Sequence, residues 1–86
     1  MPYRIELTKR AAKDLRTLPK QIQKRVARWL DLLFTDPRCE GSKQLSAKKE
    51  LRRVHAGKDY VIIYTLMERV VLVVRIASRS EAYRHL

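Results

Sequence analysis

Apolar and polar residues alternate over residues 3–7, YRIEL, at the period of a half-buried strand. After Thr8, a good N-cap, the spacing becomes helical. Ala11, Leu15 and Leu18 fall on one face at steps of four and three. Pro19 suits the first turn of a second helix. There Ile22, Val26, Trp29, Leu30 and Leu33 form an apolar stripe, with Lys20, Lys24, Arg25 and Arg28 mostly off it. Trp29 and Phe34 are read as core. TDP at 35–37 ends the helix, because a residue before proline avoids the α region. The short join at Leu18–Pro19 predicts a helical hairpin. Residues 37–50 read as a loop pinned by Leu45. Period two then returns. In LRRVHA (51–56), Leu51, Arg53 and His55 point one way, and Arg52, Val54 and Ala56 the other. GKD (57–59) reads as a turn, with Gly57 free to take positive φ. YVIIYTLM (60–67) and VVLVVRIA (70–77) are β-branched, nearly continuous apolar runs, as in strands covered on both faces. Tyr60 and Tyr64 share a strand face and are read as core. ER (68–69) is the turn between the two runs. The predicted order is β-α-α-β-β-β. It describes an α+β domain over residues 1–86, with a mostly antiparallel sheet and the helical hairpin packed on one face.

Charge narrows the class of partner. Twenty Lys and Arg against nine Asp and Glu leave a net charge of +11, which points to an anionic partner. Nucleic acid, an acidic protein and a membrane surface are all open on this count. The basic residues divide ten and ten between residues 1–42 and 43–86, so the charge belongs to the folded body rather than to a tail. MPYRIELTKR has charges where a secretory leader needs apolar residues, and no apolar run is long enough to span a bilayer. Neither a leader nor a membrane partner is expected. Cys39 is the single cysteine, which rules out an internal disulfide and fits a reducing cytoplasm.

The common catalytic motifs are missing. No GxGxxG, Walker loop or HExxH occurs, Cys39 has no second cysteine for a zinc pair, and the carboxylates are scattered. No metal or other cofactor is expected. What stands out is a basic and aromatic set near the sheet: Arg52, Arg53, His55, Lys58, Arg75, Arg79, Tyr83, Arg84 and His85. If the chain leaves its last strand on the side of Arg53 and His55, then Arg79 and Tyr83 converge on them. Guanidinium groups bind phosphate and stabilise charge that builds on it. A histidine of near-neutral pKa moves protons to and from a 2′-hydroxyl and a leaving oxygen. A tyrosine stacks on a base or holds an oxygen. Each residue also fits a plainer role: Arg53 and His55 as solvated strand or turn residues, Arg79 and Arg84 as a charged chain end, Tyr83 as packing.

Four segments together resemble the RelE/ParE superfamily of bacterial type II toxins. LTKRAAKDLRTLPKQIQKRV is similar to the opening helical hairpin of that family, with its A-x-x-x-L-x-x-L-P pattern. KQL (43–45) resembles the short segment before the sheet. LRRVHAGKDYVIIYTL resembles the R-x-R-x-G-x-Y-R-x-x-Y strand pair, and VVLVVRIASRSEAYR the last strand with its R-x-x-x-Y ending. The resemblance implies a small twisted sheet with the hairpin on one face and a basic concave surface on the other. For the RelE-like branch, which is favoured, it implies metal-independent cleavage of mRNA in the ribosomal A site. The 2′-hydroxyl attacks the adjacent phosphate and leaves a 2′,3′-cyclic phosphate. A cognate antitoxin, mRNA and ribosomal RNA are the implied partners.

Carried over by position, Arg53, His55, Arg79 and Tyr83 are the expected catalytic group. His55 would move protons, Tyr83 would orient the hydroxyl or stack a base, and Arg53 and Arg79 would bind the phosphate. Arg52, Lys58, Arg75 and Arg84 are expected to bind RNA. The chain departs from the family at Val61, where an arginine commonly follows the tyrosine. The lost arginine would cost transition-state stabilisation unless Lys58 or Arg52 reaches the same space. Arg75 and Ser78 stand where many relatives have histidine and a further arginine. ParE-like members lack the RNase set and inhibit DNA gyrase, which is the alternative reading. A third is a basic nucleic-acid-binding or ribosome-binding domain with no toxin role.

Overall fold

The computed structural model describes residues 3–84. In chain order the elements are β1 (Arg4–Leu7), α1 (Lys9–Thr17), α2 (Lys20–Thr35), β2 (Lys43–Gln44), β3 (Leu51–His55), β4 (Tyr60–Met67), β5 (Val70–Ser78) and α3 (Arg79–Ala82). The five strands form one sheet in the order β1-β5-β4-β3-β2. Only the β1–β5 pair is parallel; the other three are antiparallel. The α+β architecture and the helical hairpin are as expected. The sequence reading lacked β2, which lies inside the presumed loop, and α3. Both are too short to impose a period on the sequence.

The hairpin forms where the caps allow it. The Thr8 hydroxyl accepts from the Ala11 N–H at 3.1 Å and opens α1. Pro19 sits at the N-cap of α2 and ends the run of α1. The Gln23 side-chain amide then donates to the carbonyls of Leu15 and Leu18 at 2.9 and 3.1 Å. Those carbonyls lie at the end of α1, where Leu15 otherwise accepts only the long 3.3 Å bond from the Leu18 N–H, so Gln23 locks the two helices together.

Two apolar clusters sandwich the sheet. On the hairpin side, Ala11, Val26 and Leu33 pack on Val54, Ile62, Tyr64, Val71, Val73 and Ile76, with Trp29 and Leu30 half-buried beside them. On the opposite side Val61, Ile63 and Ala77 are covered by Ala82 of α3, with Leu45, Leu51 and Val74 at the margin. This second cover explains why Val61, Ile62, Ile63 and Tyr64 are all fully buried, whichever way they point. The Tyr64 hydroxyl donates to the Pro37 carbonyl at 2.6 Å and ties the start of the 37–50 segment to the core. Phe34 departs from expectation, at 43% exposed. It lies one residue beyond Leu33, about 100° further round the helix, and so falls off the buried stripe.

A bulge in β5 decides which way the chain leaves the sheet. Ile63 pairs with Arg75 but Tyr64 pairs with Val73, so Val74 is an extra residue. Val71 and Val73 lie in the hairpin-side core, whereas Ala77 lies in the opposite cluster. Without the bulge, strict alternation would put Ala77 and the exit of the strand on the hairpin side. With it, α3 starts on the open face.

Candidate active site

β3 alternates as its sequence predicts. Val54 and Ala56 enter the hairpin-side core, and Leu51 belongs to the other cluster, so Arg53 and His55 stand on the open face. His55 lies opposite Val61, and Val61 opposite Ala77, a row that leads across the sheet to the end of β5. Tyr60 pairs with Ser78, and the Arg79 N–H donates to the Asp59 carbonyl at 2.9 Å. The β3–β4 turn therefore holds the first residue of α3 near the end of β3. Gly57 gives this turn its shape at φ +94°, a conformation that suits glycine. Arg79 is exposed, and its charge acts on His55 together with those of Arg53 and Lys43. Tyr83, 41% exposed, closes one side of an open cleft of about 410 Å³ that Arg53 also lines.

The expected catalytic residues Arg53, His55, Arg79 and Tyr83 thus share one face. Burial first, and then the charges of Arg53, Arg79 and Lys43, hold the His55 pKa below its ordinary 6.5. At pH 7 the imidazole is mainly neutral and able to accept a proton. The same depression acts on stability. Protonation is harder in the folded state than in the unfolded one, so the contribution of His55 is complete above pH 6.5 and is lost as pH falls through the folded pKa. An NMR titration of the His55 ring should give a midpoint below 6.5 at low salt, moving upward when salt screens the cations. A midpoint at or above 6.5 would contradict this geometry.

The residues expected to bind RNA do not stay together, and two of them need correction. Arg75 donates from Nε to Asp14 of α1 at 2.8 Å, with only 12% and 11% of the two side chains exposed. It is a structural ion pair that ties β5 to α1. Arg52 points to the hairpin face, as strand alternation requires, and donates to the Ser42 hydroxyl at 2.7 Å. It cannot fill the space over Val61. Lys58 stands exposed on the β3–β4 turn. Arg84 is exposed beside Tyr83 and pairs with Glu81 at 3.6 Å. His85 lies outside the described residues.

Lys43 is the residue that the sequence reading missed as a site candidate. Its pairing with Arg53 in the antiparallel β2–β3 ladder puts the two side chains on the same face. The clue in the sequence is KQL (43–45), to which a loop assignment gives no direction.

Comparison with known proteins agrees with this architecture. Residues 5–83 match the family described as ParE toxin of type II toxin-antitoxin system, parDE. A protein of Methanocaldococcus jannaschii, named as a candidate RelE1 toxin, is 30% identical over 91 residues, covering 99% of both chains. The archaeal RelE-RelB complex from Pyrococcus horikoshii OT3 contains a chain with a TM-score of 0.77 and 27% identity, covering 95% of this chain and 100% of that one. A chain of the intact E. coli RelBE toxin-antitoxin complex shares the fold at a TM-score of 0.78 and 22% identity, over 88% of this chain and 95% of its own. With the family matched over nearly its whole length, and the open sheet face basic as that resemblance implies, the chain belongs to the RelE/ParE superfamily and is a toxin of a type II toxin–antitoxin system.

Proposed function

We propose that this toxin is a metal-independent endoribonuclease that cuts mRNA in the ribosomal A site and so stops translation. The observation that carries the reading is the placement of His55 with Arg53 and Arg79 on the open face, beside a cleft that Arg53 and Tyr83 both line. In this reading His55 takes the proton from a 2′-hydroxyl. The freed oxygen attacks the adjacent phosphorus, the bond to the 5′-oxygen breaks, and that oxygen takes up the proton that His55 gives back, directly or through water. Arg53 and Arg79 hold the phosphate and offset the negative charge that builds on its oxygens. Their own guanidinium groups stay protonated and do not act as the base. Tyr83 holds the attacking oxygen or stacks on a base. The toxin would act in the cytoplasm, as one domain over residues 1–86, with mRNA and ribosomal RNA as its contacts. A cognate antitoxin would suppress it, as the partners in the solved RelE-RelB and RelBE complexes suggest.

A gyrase-inhibiting, ParE-like action has one observation in its favour. Val61, where relatives commonly carry arginine, is fully buried beneath Ala82, so no cation can occupy that position as α3 now lies. His55→Ala separates the two readings. The nuclease reading expects mRNA cleavage to fall by roughly 10²–10⁴, the usual contribution of a general base. A variant that keeps wild-type potency, with DNA supercoiling by gyrase inhibited and mRNA intact, would establish the other.

A further inference from the structure

We propose that Lys43 is the third phosphate-binding group of this site, completing with Arg53 and Arg79 a set of cations that reaches the transferring phosphate. The inference rests on the nuclease reading and adds a residue to it. β2 has only two residues, Lys43 and Gln44, and they pair with Arg53 and Arg52. A directly opposed antiparallel pair shares a face, so Lys43 stands beside Arg53. His55 is two residues further along β3 on that same face, the diagonal neighbour of Lys43 at about 7–8 Å between backbones. Lys43 is exposed, and neither a salt bridge nor a side-chain hydrogen bond is found for it among the described residues.

Burial of Val61 makes a third cation at this place chemically important. The phosphate being attacked carries charge on two oxygens outside the reacting line, and the leaving oxygen develops more. Arg53 and Arg79 approach His55 from β3 and from the start of α3. The sheet between them presents Val61 and Ala77, which are apolar and covered by Ala82. Arg52 is turned to the other face. A further positive charge can enter from the β2 edge, where Lys43 stands directly opposite Arg53, while Lys48 lines the cleft farther along, toward Tyr83. The long flexible stem of Lys43 lets the ammonium follow a phosphate as a point charge, without the fixed fork of a guanidinium.

The test compares Lys43→Gln and Lys43→Arg with Lys24→Gln, an equal loss of charge on the exposed side of α2. Lys43 is exposed, so each variant should fold, which circular dichroism verifies. In a translation system, Lys43→Gln should slow mRNA cleavage at saturating ribosomes at least about tenfold. Lys43→Arg should stay within a few-fold of wild type, and Lys24→Gln should not differ from it. The His55 midpoint should rise in Lys43→Gln and not in Lys24→Gln. Equal cleavage by Lys43→Gln and wild type would overturn the assignment, as would a Lys43→Arg variant no faster than Lys43→Gln. If the wild type itself cuts nothing, the nuclease reading fails. Lys43 is then judged by binding to a 2′-O-methyl RNA oligonucleotide, which has no nucleophile. Loss of one phosphate contact lowers the slope of log affinity against log salt by about 0.7. That change in Lys43→Gln alone would uphold the phosphate site; the wild-type slope in Lys43→Gln would sink it.

Discussion

Arg79→Ala is expected to lower mRNA cleavage by roughly 10²–10³, the loss that follows removal of one preorganised group from a developing charge. It should do so without unfolding the protein. The Arg79 side chain is exposed, and the contact that secures α3 is made by its backbone N–H to the Asp59 carbonyl, which alanine keeps. Alanine is also a good helix former at this position. The measurement is the cleavage rate at saturating ribosome, beside a thermal melt. A fall in rate with an unchanged melt supports a role for Arg79 at the phosphate. An unchanged rate would remove Arg79 from the site and leave His55 with one guanidinium fewer than the reaction needs. A lowered melting temperature with a proportionate loss of activity would mean that the residue holds α3 in place.

Asp14→Ala should cost the fold about 3 kcal/mol, because it strands a largely buried guanidinium. One Asp14 oxygen, Oδ2, accepts from Arg75 Nε at 2.8 Å and from the Ile76 N–H at 3.0 Å, while Oδ1 is 3.4 Å from Arg10 Nε. The carboxylate joins α1 to β5 just after the bulge. Its loss leaves a charged donor and a backbone donor without partners. For a domain of this size the melting temperature should fall by roughly 15 °C. The double variant Asp14→Leu with Arg75→Met should recover much of the loss, since replacing both members of a buried pair with apolar side chains is often neutral. A double variant as unstable as Asp14→Ala would place the stabilisation in the Ile76 contact instead. Arg75 illustrates a general point about this chain. Its substitution should weaken the toxin by loosening the sheet rather than by losing an RNA contact.

Most of the fold was legible because it follows from periods. The stripe Ile22–Val26–Trp29–Leu33 could only be a helix face, and the alternation of Leu51, Arg53 and His55 assigned the site to the face away from the hairpin. Phe34 reads as core on apolar character alone, but one step past Leu33 it falls off the buried stripe and stays 43% exposed. The fates of Arg52 and Arg75 differ in kind. The side of Arg52 was readable from alternation, and the RNA-binding role assigned from charge conflicted with it. Arg75 was not readable, because its partner Asp14 lies in α1, a long-range contact; the bulge at Val74 was not readable either, since it leaves no mark in a run as uniform as VVLVVRIA. That single inserted residue also decides that Arg79 leaves on the same face as His55. Lys43 escaped notice for a third reason: its direction is set by pairing with Arg53, a long-range contact, and not by its neighbours in the chain.

The most direct test of the nuclease reading is cleavage in a purified translation system. Programmed ribosomes hold a defined A-site codon, and parallel samples hold the same mRNA without ribosomes. EDTA-treated free RNA serves as a control. The account predicts cuts within the A-site codon only when ribosomes are present, with 2′,3′-cyclic phosphate and 5′-hydroxyl ends. Intact mRNA in every sample, from folded protein that still inhibits gyrase, would contradict it.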